Sequence, residues 1–366
     1  MLRRVVVGAA APVLALVIAL VITLLILLVT GNSVSGFMST IFSAPAPRNL
    51  VNIVNNSSVL YLSALAAAIG FRMNLFNIGV EGQYRVAVFA AAAFLGQDVL
   101  PGPLAVVVAL VIAVVAGALW AGIAGLLKVT RGVSEVISTI MLNAIAVSLT
   151  AYFLRRWGVT VGNSLQTKSV PKGARIPGLD LVPGAPNQVL GFALLAVVAG
   201  VAYAVVLNRT RFGFELRATG ASATAAVASG IDVRRMVVVS MLVSGGVAGL
   251  VGLPLLFGDT YTYSTTFQAE LGFSGIAVAL LGRNHPVGMG FGAVLFAYLS
   301  EQSSLLEIDA NISNDIVSIT QGVLVLSVVV AYEVVRRYRR AQEQRTVAAQ
   351  LAPGNASAAL PEGGAA

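Results

Sequence analysis

The stretch Phe71-Arg-Met-Asn-Leu-Phe-Asn-Ile-Gly-Val-Glu-Gly-Gln83 sets two Asn, a Glu, a Gln and two Gly inside sequence that is otherwise almost entirely apolar. A carboxylate at bilayer depth costs several kcal/mol unless it faces protein or a water-filled cavity. Asn74, Asn77, Glu81 and Gln83 are therefore the residues around which the rest of the chain has to be read.

The surroundings are membrane-like by composition. Of 366 residues, 57% are hydrophobic and only 10% charged, and the mean hydropathy is +0.89, a profile foreign to soluble domains. Apolar stretches of about 20 residues, enough to cross a core of roughly 30 Å, recur along the chain. They fall near Val5–Thr30, Leu50–Gly70, Tyr84–Phe94, Leu104–Leu127, Val136–Leu154, Val189–Leu207, Val237–Leu256, Phe273–Leu281, Val287–Leu299 and Ile316–Tyr332. The expected fold class is thus an all-α integral membrane protein of about ten transmembrane helices. The run after Arg3-Arg4 is too long for a signal peptide and lacks a small-residue cleavage site, so it reads as a retained first helix. Tyr84–Phe94 and Phe273–Leu281 are short and Gly-interrupted. Short or broken segments at corresponding places in two halves indicate discontinuous helices around a midplane pathway.

The net charge of +8 is distributed by topology. Arg3-Arg4, Lys128, Arg131, the Arg209–Arg235 stretch, Arg283 and Arg336–Arg340 fall on one side. Asp98, Asp259, Glu301, Glu307 and Asp309 fall on the other, which is the positive-inside pattern with both termini cytoplasmic. A nucleic-acid partner is not needed to explain the basic excess. One external loop, near 156–187, opposes the pattern through Arg155, Arg156, Lys168, Lys172 and Arg175. Its Gly, Pro and Ser content argues against another crossing. The organisation read from this is a transmembrane domain over 1–340, a cytoplasmic segment near 208–235, and a tail over 341–366. That tail, rich in Ala, Gln, Gly and Pro, is expected to be disordered and cytoplasmic.

Chemistry that could make the chain an enzyme is missing from the sequence. There is no cysteine, a single His285 lies in the polar break Arg283-Asn-His-Pro286, and no paired-carboxylate or Ser–His constellation is visible. No Lys follows a Gly, so the Gly-Lys-Ser/Thr of a nucleotide-hydrolysing loop is absent, and any energy for transport must come from elsewhere. No metal site and no bound cofactor are expected.

What remains is polar chemistry at membrane depth. Asn74, Asn77 and Glu81 are three and four residues apart, which on a helix would align them on one face. Such a face, with Gln83, offers amide donors and acceptors and one carboxylate, suited to hydroxyls or a nucleobase edge. The same groups could instead bond neighbouring helices and fix packing, and Glu81 could pair with Arg72 or Arg85. Asn143 has little within its own helix to satisfy an amide, so its partner must lie across an interface or in water. Asn55, Asn56, Ser138, Thr139, Ser240 and Ser244 extend the candidate pathway, although Ser and Thr can bond their own helix carbonyls. Gly245, Gly249 and Gly252, and separately Gly288, Gly290 and Gly292, favour close helix contact.

Between two spans, Arg211-Phe-Gly-Phe-Glu-Leu-Arg-Ala-Thr-Gly220 is followed by an Ala-rich run ending at Gly230-Ile231. A short, small-surfaced helix there would fit a groove on another protein, and the segment is longer than a connection requires.

Four motifs in order, Phe76–Gln83, Ser134–Asn143, Phe212–Gly220 and Gly272–Arg283, resemble those of permease subunits of bacterial ATP-binding-cassette (ABC) importers. The resemblance covers Leu50 to Tyr332 and is narrowest to the nucleoside and simple-sugar branch, related to ribose and branched-chain amino acid permeases. It implies a pair of permeases, identical or paralogous, in the cytoplasmic membrane, two cytoplasmic ATPase subunits and an extracytoplasmic substrate-binding lipoprotein. It also implies a coupling helix at Glu215 to Ile231, with Glu215, Arg217, Gly220, Ala225 and Gly230 expected to face the ATPase. The membrane-buried polar residues themselves mark the expected substrate path, past Asn74, Asn77, Glu81, Gln83 and Asn143. An ion-coupled secondary transporter would share the broken helices and midplane polar groups, and differs in being insensitive to ATP depletion.

Overall fold

A computed structural model describes residues 2–350 of the chain. In chain order the helices are α1 (Leu2–Val29), α2 (Val34–Ile41), α3 (Pro47–Arg72), α4 (Val80–Leu95), α5 (Gly102–Arg131) and α6 (Glu135–Trp157). A two-stranded hairpin, β1 (Val159–Val161) and β2 (Ser164–Gln166), precedes α7 (Ala193–Arg209), α8 (Arg211–Ala221), α9 (Ala223–Ala228) and α10 (Val233–Ala248). The chain continues through α11 (Leu253–Leu255) and a π-helical turn to α12 (Leu271–Leu281), α13 (Pro286–Ala310) and α14 (Asn314–Gln350). α14 runs ten residues into the segment whose composition suggests a disordered tail; residues 351–366 lie outside the described residues.

Among the described residues, five helices are long and apolar enough to cross a membrane: Pro47–Arg72, Gly102–Arg131, Glu135–Trp157, Val233–Thr260 and Asn314–Val335. The pair α7–α8, bent by 72° at Thr210, makes a sixth if it is counted as one span. Each of the ten apolar stretches read from the sequence overlaps a helix, but α4 and α12, with 16 and 11 residues, are too short to cross alone. Their shortness follows from the non-helical segments before them, 73–79 and 261–270.

The chain divides into two compact units, one formed by α1 with the segment from Asp315 onward and the other by Ser35–Asn314. In the first, Thr23 of α1 donates to Thr320 of α14 at 3.3 Å while each hydroxyl also bonds its own helix. In the second, α5 and α10 form a central pair. A Cβ on Gly245 would stand 2.3 Å from the Gly117 carbonyl oxygen, and one on Gly249 would stand 2.2 Å from that of Ala113. The backbones are this close only because neither residue carries a side chain, as expected where lipid gives helices no hydrophobic reason to associate.

Local signals place the ends. Pro at the first turn opens α3, α5 and α13, where its missing N–H costs nothing. α5 stops at Gly132, in the left-handed region at φ 69°, with the Gly132 and Val133 N–H groups bonding the last carbonyls.

The loop over 158–192 and the α8–α9 segment lie at opposite ends of the larger unit. α10 follows α9 directly, and the far end of the same span meets the loop, where Ile176 N donates to Phe257 O at 3.1 Å and Thr167 N to Tyr263 O at 2.8 Å. The loop contains the hairpin and a 3-10 turn but no crossing helix. Asn55 fastens it to α3, donating to Gln188 O and accepting from Leu190 N. Arg175 lies with its guanidinium 4.1 Å from the Tyr261 ring centroid and bonds Val170 O, so one of the loop's dissonant cations is held by local structure.

Candidate functional site

α4 and α12 begin inside the bundle, and a helix that begins there presents backbone N–H groups to neither water nor helix. Neither has a side-chain cap of its own: the N-cap positions are Gly79 and Glu270, the latter in the left-handed region at φ 65°. The missing acceptors come from other elements. Asn143 of α6 accepts from Gly82 N at 2.8 Å and donates to Ile78 O at 2.9 Å, closing the start of α4. Glu81, in the first turn of α4, accepts from Glu270 N at 3.0 Å and Gly272 N at 2.9 Å, closing the start of α12. A negative charge at both helix starts is also the favourable sign for their dipoles.

The Glu81 carboxylate is only 5% exposed and is fully engaged. Arg85, one turn along α4, donates to it at 2.8 Å, and the Tyr84 hydroxyl lies 2.9 Å from it and 2.8 Å from Gln268 O. Of the two cations the sequence offers, Arg85 is the partner; Arg72 points to Asn284 O instead. The starts of α4 and α12 are in direct contact: a Cβ on Gly272 would stand 2.3 Å from Glu81 N.

Asn77 and Gln83 form a reciprocal amide pair behind this junction, at 3.0 and 2.8 Å. Asn77 also donates to Ser244 of α10 at 2.8 Å and accepts from Gly79 N at 3.0 Å, so both of its donors and its oxygen are used. Ser244 passes the chain of bonds on to Ala66 O of α3. Ser63 of the same helix donates to Leu271 O at 2.8 Å. The structure thus brings Asn77, Glu81, Gln83 and Asn143 into one buried seam joining α3, α4, α6, α10 and α12.

Asn74 is not part of it. Residues 73–79 are non-helical, and Asn74 is exposed in the left-handed region at φ 60°. The spacing of three and four therefore does not place Asn74, Asn77 and Glu81 on a helical face. Asn77 and Glu81 meet because the chain turns between them. Ser138, Thr139 and Ser240 bond carbonyls of their own helices.

At the α8–α9 end, the single Ala-rich helix expected there is two helices, split at Ser222, whose hydroxyl accepts from Ala225 N at 3.3 Å and caps α9. Thr210 and Asp232 cap α8 and α10 in the same way. Glu215 pairs with Arg211 at 2.7 Å on the surface and Arg217 Nη1 is buried with no partner among the described residues. Ala225 is exposed, and Gly230, exposed at φ 79°, ends α9. Phe214 and Val227 leave apolar surface uncovered, at 60% and 62% exposure. Gly220 packs inward, where a Cβ would stand 2.2 Å from Arg72 O.

The sequence did not single out Glu270, Tyr84, Lys128 or Glu135. Lys128 and Glu135 form an ion pair between the ends of α5 and α6, and Phe76 N approaches the same carboxylate at 3.5 Å. Tyr84 and Arg85, three and four residues after Glu81, were legible as helical neighbours.

Residues 49–329 match the family described as "Branched-chain amino acid transport system / permease component". Among curated proteins, a guanosine ABC transporter permease protein of Bacillus subtilis, NupP, is 34% identical, with 88% of this chain and 93% of the relative aligned. A nucleoside ABC transporter permease protein of Lactococcus lactis, NupB, is 30% identical over 88% of this chain and 90% of its own. A glucose ABC transporter permease protein of Haloferax volcanii, TsgB13, is 32% identical over 79% and 78%. With most of its length matched and its apolar helices built around a buried polar seam, the chain belongs to the branched-chain amino acid transport system permease family, as a multi-pass membrane subunit of an ABC transporter.

Proposed function

We propose that this chain is the transmembrane permease subunit of an ATP-driven importer that carries nucleosides, or related simple sugars, across a bacterial cytoplasmic membrane by alternating access. The observation that carries the reading is the junction of α4 and α12, two half-helices whose starts are held face to face by Glu81, with the capped α8–α9 segment at the end remote from the 158–192 loop. Broken helices abutting inside a bundle are the usual lining of a solute path. Both NupP and NupB are named for nucleosides, and each aligns over about nine-tenths of its length.

In this reading the ten apolar stretches each enter the membrane and both termini are cytoplasmic, with α8–α9 at the cytoplasmic face and the loop outside. ATP is bound and hydrolysed by two partner ATPases, which dock on Glu215, Arg217, Gly220, Ala225 and Gly230. A second permease, identical or paralogous, completes the channel, and an extracytoplasmic lipoprotein delivers the solute. Asn77, Glu81, Gln83 and Asn143 line the path as the framework of its wall, their hydrogen bonds already committed to backbone and to each other. Asn74, exposed at the break before α4, is the member of the set with an amide free to meet a neutral, hydroxyl-bearing solute.

The test is radiolabelled uptake in cells lacking the chain, with guanosine, uridine and ribose, complemented by the wild-type gene. Loss of nucleoside uptake alone, restored by complementation and abolished by ATP depletion, is expected. Uptake that survives ATP depletion and collapses with the proton gradient would instead establish ion-coupled transport, and loss of ribose alone would move the substrate to sugars.

A further inference from the structure

The turn Gly282-Arg-Asn-His285 between α12 and α13 is strained. Arg283 and Asn284 both sit in the left-handed region, at φ 53° and 55°, and neither is glycine. Non-glycine residues hold such angles only where the surroundings over-determine them, and they concentrate at switch points. Here the surroundings are identifiable. The Arg72 guanidinium, at the last turn of α3, donates to Asn284 O through Nε at 3.3 Å and Nη2 at 2.8 Å, and the buried Tyr203 hydroxyl of α7 donates to the same oxygen at 3.0 Å. Asn284 Oδ1 is buried with no partner among the described residues, so the turn is also short of one hydrogen bond in this arrangement.

Arg72 touches the coupling segment as well. Its carbonyl oxygen lies 2.2 Å from where a Cβ on Gly220 would be, and Met73 Cα lies 3.0 Å away, so α8 rests on the backbone of this residue. The C-terminal end of α12 is thus tied through Asn284 to the residue on which α8 sits, and its N-terminal end is clamped by Glu81. Eleven helical residues make a rod of about 16 Å. A short rod tied at both ends transmits displacement from one tie to the other.

We propose that Arg72 is a positioning residue for transport: it converts movement of α8 into movement of α12 by holding the 282–285 turn in its strained form. This rests on the proposed function only in taking α8–α9 as the site of ATPase docking. Its planar two-nitrogen fork suits the single carbonyl, and Lys would not reproduce it.

The chain has no cysteine, so Phe273→Cys, at a half-exposed position on α12, gives it a unique thiol. In the complete complex with its ATPase subunits, the modification rate of this thiol is measured by mass on this chain, with and without a non-hydrolysable ATP analogue. Nucleotide is expected to change the rate by about threefold or more when Arg72 is present, and to leave it nearly unchanged in Arg72→Gln, with basal ATP hydrolysis retained in both. Arg72→Lys, which keeps the charge but not the two-nitrogen fork, is expected to give a clearly reduced response, and it decides the matter if Arg72→Gln does not assemble. A full nucleotide response in Arg72→Gln, or in Arg72→Lys where only that variant assembles, would overturn the proposal. Because the readout needs no solute, a complex that responds to nucleotide through Arg72 yet takes up no nucleoside would sink the substrate reading and leave this one standing.

Discussion

Glu81 Oε2 accepts the backbone N–H of Gly272 at 2.9 Å, across 191 residues of sequence, and by that bond the carboxylate of one half-helix caps the start of another. The cost of a carboxylate at this depth is offset by four donors: two backbone N–H groups, the Arg85 guanidinium and the Tyr84 hydroxyl.

Glu81→Gln tests whether this carboxylate is framework. The amide keeps the shape but has one acceptor oxygen where two are used, and it leaves Arg85 as a buried cation without its anion. A loss of about 3 kcal/mol is expected, since breaking one side of a buried pair strands the other. Thermal unfolding of the purified permease in detergent should show a clear fall in Tm together with lost uptake. Wild-type stability with abolished uptake would instead make Glu81 a direct solute contact.

Asn143→Leu removes the acceptor for Gly82 N and the donor for Ile78 O in one step. Leaving these buried backbone groups unpaired should cost about 1–3 kcal/mol. A wild-type Tm for Asn143→Leu would contradict the capping role.

Gly245→Ala drives a methyl into the Gly117 carbonyl, a backbone atom that cannot rotate aside. α5 and α10 must separate, at an expected cost of about 1–3 kcal/mol or more. Gly322→Ala, with nothing among the described residues within 4 Å, is the control and should show no loss of stability in the same melting experiment.

Val227→Glu places a charge on the exposed apolar surface of α9 and touches no buried group. The Tm of the permease alone should stay within about 0.5 kcal/mol equivalent of wild type. Co-purification with the ATPase subunits should fall sharply, and unchanged recovery of the complex would remove α9 from the docking surface.

Much of the architecture was legible because hydropathy reports a property of each residue separately. The free energy of moving a side chain into hydrocarbon is largely local, so the ten apolar stretches could be located, and the shortness of Tyr84–Phe94 and Phe273–Leu281 already marked α4 and α12 as broken. Small-residue stripes behaved alike: Gly245 and Gly249 could be assigned to a close helix contact without knowing that Gly117 and Ala113 were opposite.

Who meets whom was decided only by the tertiary structure. The helical spacing of Asn74, Asn77 and Glu81 carried no meaning once the backbone left the helix at Met73, and no local signal told a face from a turn there. Asn143 had to find a partner across an interface, but that its partners would be Gly82 N and Ile78 O depends on where α4 starts against α6. The sequence by itself determined that polar groups are buried among these helices. The fold decided that they serve as caps, because an orphaned N–H group exists only where a helix begins, and the groups that satisfy it are chosen by packing between elements far apart in the chain.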